Sequence, residues 1–480
     1  MRISSFILTA GLLWANSFSL KAQSDSLKAQ VDTNSTVFTY QKFMSMVKEN
    51  HPLSRQADLA LDRGDAYLLK ARGGFDPKLY GDFSQKQFKG DEYYELLDAG
   101  LKVPTWFGLA VKAGYENNEG TNLNPENSTP GSGLWYAGIE LPIGNGLFID
   151  QRRAELKRAK IFRESSEAQQ RIILNDLLYE AGKAYWAWFQ SYNDMIVLEE
   201  GYELANQRFQ GVKNNAIFGD VPIIDTVESW IQVQNRSLEL QQFQLEYQNA
   251  SAYLAVFLWK EGIVPLELQT TTIPFTVEGM NTKELSGDFY SKMDSLIQNH
   301  PELLQYQYKV ETLEIDARLK REQLKPDLNL KYNAISQPVG GDVFSEYSTN
   351  NYNWGVSFSM PIALRKERGD LKLTQIKQNE AQLQMANKRE QLSYKATASL
   401  NSWRITLDQI ELYRQTVIDY NRLLEGERSM FEAGESSLFM VNSREVGYLK
   451  ARLKLIELMS KNQKARLTAN YVYGILNQTL

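Results

Sequence analysis

Apolar residues recur at steps of three and four along four stretches of the chain, a pattern that predicts long helices packed side by side. Two windows, residues 143–221 and 362–480, contain no proline, so no proline ring interrupts a helix there. The apolar seams are Leu174, Leu178, Ala181, Tyr185, Trp188, Tyr192 and Met195; Leu240, Phe243, Tyr247, Ala250, Leu254 and Phe257; Leu400, Trp403, Leu407 and Ile410; and Val446, Leu449, Leu453 and Ile456. These residues are predicted to hold the helices together.

A glycine-containing turn divides each of these helical stretches into a hairpin. The first hairpin is predicted over residues 150–260, with its turn at Phe218-Gly219-Asp220, and the second over residues 368–475, with its turn at Ala433-Gly434-Glu435. One continuous helix over residues 156–218 would be about 90 Å long. That length exceeds the needs of a globular domain, so the hairpins predict a rod.

Alternating apolar and polar residues predict strands ahead of each hairpin. In the first half the strands are expected within residues 78–143, at positions 79–83, 106–115 and 134–141. Residues 117–133, rich in Gly, Asn, Pro and Ser, are expected to form an exposed loop. In the second half, strands are predicted at 327–332 and 352–360, within residues 327–361.

Several short motifs occur twice in the same order, which indicates an internal duplication. The pairs are Asn50-His51-Pro52 with Asn299-His300-Pro301, Asp76-Pro77 with Lys325-Pro326, and Leu141-Pro142-Ile143 with Met360-Pro361-Ile362. The duplication predicts two structural repeats, residues 37–261 and 288–480, joined by a mixed linker over residues 262–287. Each histidine precedes a proline and is expected to cap a helix.

The N-terminus has the features of a secretory signal peptide. Residues 1–22 begin with Met1-Arg2, continue with an apolar run and end at Ala22, a small residue suited to cleavage. A membrane anchor at the start of the chain is the alternative. Residues 23–36 are polar and are expected to be disordered. No later apolar run reaches the roughly 18–20 residues of a membrane helix, so an exported chain of this kind is periplasmic, extracellular or inserted in an outer membrane as a β-barrel.

Composition narrows the classes of function. Apolar residues make up 43% of the chain and charged residues 23%, which fits neither a disordered chain nor a helical membrane protein. The net charge of −5 provides no electrostatic surface for nucleic acid. With no cysteine there is no disulfide and no lipidation at an N-terminal cysteine. The sequence has no nucleophile motif, no metal-ligand spacing and no glycine-rich phosphate loop, so it predicts no enzyme, no cofactor and no metal site.

The predicted strands are too few to close a barrel from one chain. In a membrane, an open sheet edge leaves backbone groups without hydrogen bonds, so the strands must close into a ring. Closure therefore requires several copies of the chain. An exported coiled-coil scaffold or adaptor protein is the alternative, but it would not explain strands at matched positions after Pro77 and Pro326.

The combination of duplicated strands and long hairpins resembles the TolC family of outer-membrane efflux proteins over nearly all of the mature chain. The motifs that carry the resemblance are the two Asn-His-Pro tripeptides, Pro77 and Pro326 before the strands, and the Leu-Pro-Ile and Met-Pro-Ile tripeptides after them. The first hairpin turn also looks like the family's turn, in which an apolar residue and Gly are followed by Asp. Here these residues are Phe218-Gly219 and Asp225.

The resemblance implies a mostly α fold with a membrane β-barrel portion, closed by trimerisation. Three copies would form an outer-membrane barrel that continues into a long, coiled-coil helical tunnel in the periplasm. Such a channel is passive. It would bind a periplasmic adaptor (membrane fusion) protein and, through it, an inner-membrane pump of the RND or ABC type, and would export drugs, metals or polypeptides. The substrate and the pump class stay open.

The resemblance places the periplasmic mouth and the adaptor contacts at the two hairpin turns. The residues concerned are Gly219, Asp220, Val221, Asp225, Gly434, Glu435, Ser436, Leu438, Met440, Asn442 and Ser443. For the two glycines, a purely structural role in ending a helix is an equally good interpretation.

Two features depart from the family pattern. Well-known members carry aspartates six and nine residues after the second-turn glycine, where they form an acidic ring. This chain has Met440 and Ser443 there, so the ring is expected to be absent, although Glu445 lies nearby in the sequence. The first repeat is also longer between its prolines, and residues 88–106, with a Lys89-Gly90-Asp91 turn, can form an extra hairpin. Whether that hairpin joins the barrel stays open.

Overall fold

The computed structural model describes residues 36–277, 280, 293–338 and 347–478. The predicted signal peptide, residues 1–22, lies outside this range, as does the polar segment 23–36 except for its last residue. The predicted linker, residues 262–287, is described up to residue 277 and at residue 280. The division of the chain into two repeats stays a prediction.

Long helices make up most of the described chain. In chain order they are α1 (Tyr40–Asn50), α2 (Pro52–Arg72), α3 (Gln151–Phe218), α4 (Ile223–Ala255), α5 (Met293–Gln298), α6 (Pro301–Glu322), α7 (Arg365–Glu432) and α8 (Leu438–Val472), with short 3-10 turns at Gly73–Phe75, Pro125–Asn127 and Leu476–Gln478. Helices α3 and α7 have 68 residues each, which corresponds to about 100 Å. Within the described ranges, no helix has both the length and the apolar character needed to cross a membrane.

Both Asn-His-Pro tripeptides begin a helix in the same way. His51 and His300 are extended N-cap residues, and the Nδ1 atom of each accepts a hydrogen bond from a backbone N–H, of Leu53 at 3.1 Å and of Glu302 at 3.2 Å. Burial lowers the pKa of both imidazoles, that of His300 to about 4, so the rings stay neutral and able to accept these bonds. The prediction that the histidines cap helices is confirmed.

The helices lie side by side in a layer with α3 at its centre. The first part of α3 contacts α2 and α6, its later part contacts α4 and α8, and α7 packs against both α6 and α8. One side edge of the layer is therefore formed by α2 and α4, and the other by α7.

The predicted seams form much of the core. In α3, Leu174, Leu178, Ala181, Tyr185 and Trp188 are buried, and in α7 the same holds for Leu400, Trp403 and Ile410. The largest cluster joins the aromatic residues of α3 to side chains of α1, α4 and α8. Its packing is supported by directed hydrogen bonds, such as that from the Trp188 indole to Ser251 at 3.0 Å.

One carboxyl group in this core is expected to make the stability of the rod depend on pH. Asp194 in α3 is buried, and its Oδ1 atom has no hydrogen-bond partner among the described residues. Burial, together with the charges of Glu246 and Glu457, raises its pKa from 3.8 to about 7, although a hydrogen bond with Gln190 opposes the shift. The unfolded chain keeps the lower value, so stability falls as the pH rises from 4 through 7, by roughly 4 kcal/mol in total.

Replacement of this acid by its neutral isostere (Asp194→Asn) should remove that loss. We expect a higher thermal midpoint than that of the unmodified protein at pH 8, and a much smaller difference at pH 4, where Asp194 is still protonated in the folded protein. Scanning calorimetry of the detergent-solubilised protein across this range measures the difference. An equal gain at both pH values would contradict the assignment.

Six strands form one antiparallel sheet in the order β10-β9-β5-β4-β3-β2. The strands of the chain are β1 (Thr36–Val37), β2 (Lys78–Phe88), β3 (Asp91–Pro104), β4 (Ala110–Glu119), β5 (Leu134–Pro142), β6 (Trp259–Lys260), β7 (Val264–Pro265), β8 (Thr272–Ile273), β9 (Asp327–Ser336) and β10 (Tyr352–Ser359). Two small sheets pair β1 with β8 and β6 with β7. In the large sheet β2 and β10 are the edge strands and have no second partner strand in the described chain.

The strand predicted over residues 106–115 begins only at Ala110. Trp106 and Phe107 lie instead in a turn, which is closed by hydrogen bonds from the backbone N–H and the hydroxyl of Thr105 to the Leu109 carbonyl oxygen, at 2.9 and 2.6 Å. The sequence pattern placed these residues in the strand because exposed aromatic residues are as typical of strands as of this turn.

The segment 88–106 is part of an extra hairpin, to which it contributes the turn and the second strand, β3, while β2 provides the first strand. Strands β2 and β3 are joined at Lys89-Gly90, whose φ values of 53° and 89° are those of a type I′ turn. Strand β3 then pairs along its length with β4, so the hairpin extends the large sheet.

Candidate functional site

The large sheet has an apolar face. Residues directly opposite each other on neighbouring strands share a face, so the pairing register assigns the side chains. From β2 to β10 this face carries Leu79, Gly81 and Phe83; Leu97, Ala99, Leu101 and Val103; Val111, Ala113 and Tyr115; Trp135, Ala137, Ile139 and Leu141; Leu328, Leu330, Tyr332 and Ala334; and Tyr352, Trp354, Val356 and Phe358. Phe358 is 68% exposed and Phe83 62%. A continuous exposed apolar surface of this extent marks an interaction site or a membrane contact.

The opposite, polar face of the same strands carries charged, amide and hydroxyl side chains. They include Asp82, Asp98, Lys102, Lys112, Glu116, Tyr136, Glu140, Asn329, Lys331, Asn353 and Ser357. Several pair across strands. The Glu140 carboxylate accepts from Lys102 at 2.8 Å and from Lys112 at 2.9 Å, and the Tyr136 hydroxyl donates to Asp98 at 2.7 Å. The sheet can therefore separate an apolar medium from water.

The side edges of the helical layer also expose apolar residues in regular stripes. On α4 these are Ile224, Ile231, Leu238 and Leu245, and on α7 they are Ile405, Leu412, Leu423 and Met430. Intervals of seven and eleven residues are close to whole numbers of helical turns, so each set lies on one side of its helix. These stripes were not identified from the sequence, although the strict seven-residue spacing on α4 was available as a signal.

Both predicted hairpin turns begin with a left-handed glycine. Gly219 has φ 83° and ends α3, and Asp220 donates its N–H to the Asn215 carbonyl oxygen at 2.9 Å. Gly434 has φ 77°, and Glu435 donates to the Met430 carbonyl oxygen at 2.9 Å. This is the Schellman arrangement, in which a residue without Cβ ends a helix at no steric cost.

The other residues predicted at the mouth divide by exposure. Asp220, Glu435 and Ser443 are exposed, and Val221, Asp225, Ser436 and Met440 are half-buried. Leu438 and Asn442 are buried, and the side chain of Asn442 faces α3 of the first hairpin, where Arg208 donates to it. Apolar residues that the sequence analysis did not select protrude beside the turns. They are Ile217, Phe218, Ile223 and Phe439, each at least 66% exposed.

Glu445 lies near the turns but cannot supply a free negative charge there. Its side chain is 3% exposed, and its carboxylate is bonded to Arg208 of α3 and lies 3.5 Å from Arg428 of α7. Arg208 also donates to Asn442 of α8 at 2.5 Å. This buried cluster therefore links the two hairpins, and two guanidinium groups offset one carboxylate.

A second carboxylate stabilises the second turn. Glu427 accepts a hydrogen bond from the Ser436 hydroxyl, and its other oxygen lies 3.3 Å from Nε of Arg444. The hydrogen bond from Ser436, followed by the interaction with Arg444, lowers the pKa of Glu427 below its ordinary value. At neutral pH the ionised carboxylate therefore connects α7 to the second turn and to α8. No group of three His, Cys, Asp or Glu side chains suited to a metal ion occurs in the described ranges.

The comparisons with known proteins agree with this architecture. Residues 293–469 match the model of the family described as outer membrane efflux protein. The fold is similar to that of the CmeC outer membrane channel of Campylobacter jejuni, with a TM-score of 0.63 at 15% identity over 98% of this chain and 94% of that one. No curated protein sequence is significantly similar.

Two further channel structures are similar over comparable lengths. The open state of the MtrE outer membrane channel of Neisseria gonorrhoeae aligns with a TM-score of 0.65 at 12% identity, covering 92% of this chain and 94% of that one. The outer membrane protein VceC of Vibrio cholerae aligns with a TM-score of 0.61 at 14% identity, covering 93% and 96%. The predicted fold class and the resemblance to the TolC family, a family of outer membrane efflux channels, are thereby confirmed.

Proposed function

We propose that this chain, whose second half matches the outer membrane efflux family, is the subunit of a passive homotrimeric channel. The channel would span the outer membrane and extend into the periplasm. There it would bind a periplasmic adaptor protein and, through it, an inner-membrane pump of the RND or ABC type. The exported substrates would be small molecules, such as drugs or metals, or polypeptides.

The observation that carries this proposal is the two-faced sheet with two open edges. An apolar face suits lipid and a polar face suits a water-filled lumen. Because lipid offers no hydrogen bonds to the edge strands, β2 and β10 must find partners on other copies.

The helices support the same arrangement. Strand β2 follows α2, so this edge of the sheet lies on the side of the α2 and α4 edge of the helical layer. Strand β10 precedes α7, so the other edge of the sheet lies on the side of the α7 edge. A ring in which β10 meets β2 of the next copy therefore also brings the apolar stripe of α7 to the α2 and α4 side of that copy. Burial of these stripes would add the apolar contact that holds long helices together.

The hairpin turns would form the periplasmic mouth and the adaptor contacts. The exposed Asp220, Glu435 and Ser443 and the protruding Phe218 and Phe439 are available to a partner. Gly219 and Gly434 would shape the turns, and the buried Leu438 and Asn442 would position them. The half-buried Val221, Asp225, Ser436 and Met440 would line the rim.

Mass and conductance measurements test the proposal together. The protein should purify in detergent from the outer-membrane fraction with the native mass of a trimer, and should conduct ions after reconstitution into a lipid bilayer. An exported coiled-coil scaffold, the alternative, would dissolve without detergent and would not conduct. A stable monomer in mild detergent would count against the channel.

The missing acidic ring gives a prediction about ion selectivity. Met440 and Ser443 occupy the family's aspartate positions, and Glu445 is offset by two arginines. We therefore expect weak cation preference, and we expect aspartates at both positions (Met440→Asp with Ser443→Asp) to strengthen it. Six carboxylates in one constriction would concentrate cations.

Reversal potentials across a bilayer measure this change. The gain should shrink as salt increases, because the screening length falls from about 10 Å at 0.1 M to about 3 Å at 1 M. Asparagines at the same two positions are the matched neutral control. An unmodified channel with strong cation preference, unchanged by the aspartates, would show that another acidic residue forms the ring.

A further inference from the structure

We propose that all six strands of each chain cross the membrane, including the extra hairpin β2–β3. Three copies of a six-stranded sheet then close an eighteen-stranded barrel, in which β2 of one copy pairs with β10 of the next. This inference rests on the proposed trimeric channel and adds the strand composition of its wall and the site at which copies join.

Apolar and polar residues alternate along the hairpin as expected for a membrane barrel wall, and they lie on the same faces as those of the other strands. Leu79 lies opposite Leu101 and Phe83 opposite Leu97, all on the apolar face. Asp82 lies opposite Asp98 on the polar face. A slip of one residue would have reversed the two faces, so the register of the hairpin fits the same lipid and lumen sides as β4, β5, β9 and β10.

Contacts across the polar face tie the hairpin to the other strands. Tyr80, Gly100, Gly114 and Tyr136 form one row across β2, β3, β4 and β5. The hydroxyl groups of the two tyrosines are hydrogen-bonded to each other, although two strands separate them. The side chains therefore lie along the face, above the two glycines.

Only glycine leaves room for this contact. A Cβ atom at Gly100 would lie 2.8 Å from the Tyr80 hydroxyl, and one at Gly114 would lie 2.6 Å from the Tyr136 hydroxyl. The Lys102 ammonium of β3 also reaches Glu140 of β5 across β4. The hairpin is thus built into the wall by side chains as well as by backbone pairing.

Strand order then determines how the barrel closes. Both edges of β3 are already paired, so on this side only β2 can join another copy. An even number of antiparallel strands leaves β2 and β10 running in opposite directions, which makes their junction antiparallel like the rest of the sheet. Because barrel diameter grows roughly linearly with strand number, the pore is about 1.5 times as wide as one built without the hairpin.

Spin labels on single cysteines test the position of the hairpin, since the chain has no cysteine of its own. The variants are Phe83→Cys and Asp82→Cys on β2, with Val356→Cys and Ser357→Cys as the matched pair on β10. In liposomes, labels at 83 and 356 should collide mainly with oxygen, which enters lipid, and labels at 82 and 357 mainly with a nickel chelate in water. Oxygen contact at 356 with nickel contact at 83 would overturn the hairpin assignment alone. Nickel contact at both 83 and 356 would overturn the proposed channel as well.

Cysteine crosslinking tests the junction itself. Leu79→Cys, Gly81→Cys and Phe83→Cys are each combined with Val356→Cys, and at least one combination should give disulfide-linked dimers and trimers after oxidation. Tyr80→Cys and Asp82→Cys face the other side and, with the same partner, should give none. A membrane-inserted trimer in which no β2 position crosslinks to β10 would overturn the eighteen-stranded closure.

Discussion

A lysine in place of Val356 is expected to prevent most of the protein from assembling in a membrane. Val356 lies in the middle of β10 on the apolar face, opposite Leu330, and is 53% exposed in the single chain. A lysine at the bilayer midplane of a barrel costs about 2–4 kcal/mol, and each trimer would carry three. Recovery of trimer from liposomes or from the outer-membrane fraction should therefore fall by at least about tenfold.

The neighbouring residue provides the control for this experiment. Ser357 belongs to the same strand but lies on the polar face, opposite Asn329. The Ser357→Lys variant adds the same charge to a water-filled lumen and should assemble at close to the normal yield. If the two lysine variants assembled equally well, the assignment of the faces to lipid and lumen would be wrong.

Loss of the Glu445 charge is expected to loosen the ends of both helical hairpins. This carboxylate is buried between Arg208 and Arg428. Its amide isostere (Glu445→Gln) would leave two guanidinium groups facing each other without compensation. Removal of one partner of a buried ion pair costs about 3–5 kcal/mol, which corresponds to at least about a hundredfold increase in local opening.

Hydrogen exchange followed by mass spectrometry measures that opening directly. Peptides from residues 205–230 and 425–450 should exchange faster in the variant, whereas those from the core around Trp188 should not. Glu432, an exposed residue at the end of the same α7 helix, gives the control Glu432→Gln, which should leave exchange unchanged. Equal exchange in the Glu445 variant would show that the cluster does not link the hairpins.

The sequence predicted the parts of the fold that depend on local periodicity. The seams around Tyr185 and Trp403 predicted the long helices because core packing repeats with the helical turn. His51 and His300 identified two matching helix starts, because a residue before proline is held in the extended conformation that an N-cap requires.

Features that depend on pairing between distant segments were not predictable in the same way. The role of residues 88–106 stayed open, because alternation alone does not say which strand lies beside which. The strand predicted over residues 106–115 exists, but its predicted start at Trp106 was four residues too early, because exposed aromatic residues occur in turns as well as in strands.

The sequence also did not predict which side chains at the candidate mouth are buried. Leu438 and Asn442 lie close in sequence to the exposed Ser443, yet their side chains are buried, and that of Asn442 accepts a hydrogen bond from Arg208 of α3. The pairing of Glu445 with Arg208, which lies 237 positions earlier, has no local signal. The role of the turn residues in binding an adaptor stays a prediction.

The open edges β2 and β10 would also make each separate chain prone to uncontrolled polymerisation. Because the two edges differ, β10 of one copy can pair with β2 of the next, and copies can add one after another. This addition ends only if the rotation between neighbouring copies closes a ring. Three copies close into a ring when each copy is rotated by one third of a circle relative to its neighbour. Substitutions that flatten the sheet, even far from either edge, would therefore favour open filaments over rings and would convert a subunit that still folds into an aggregating one.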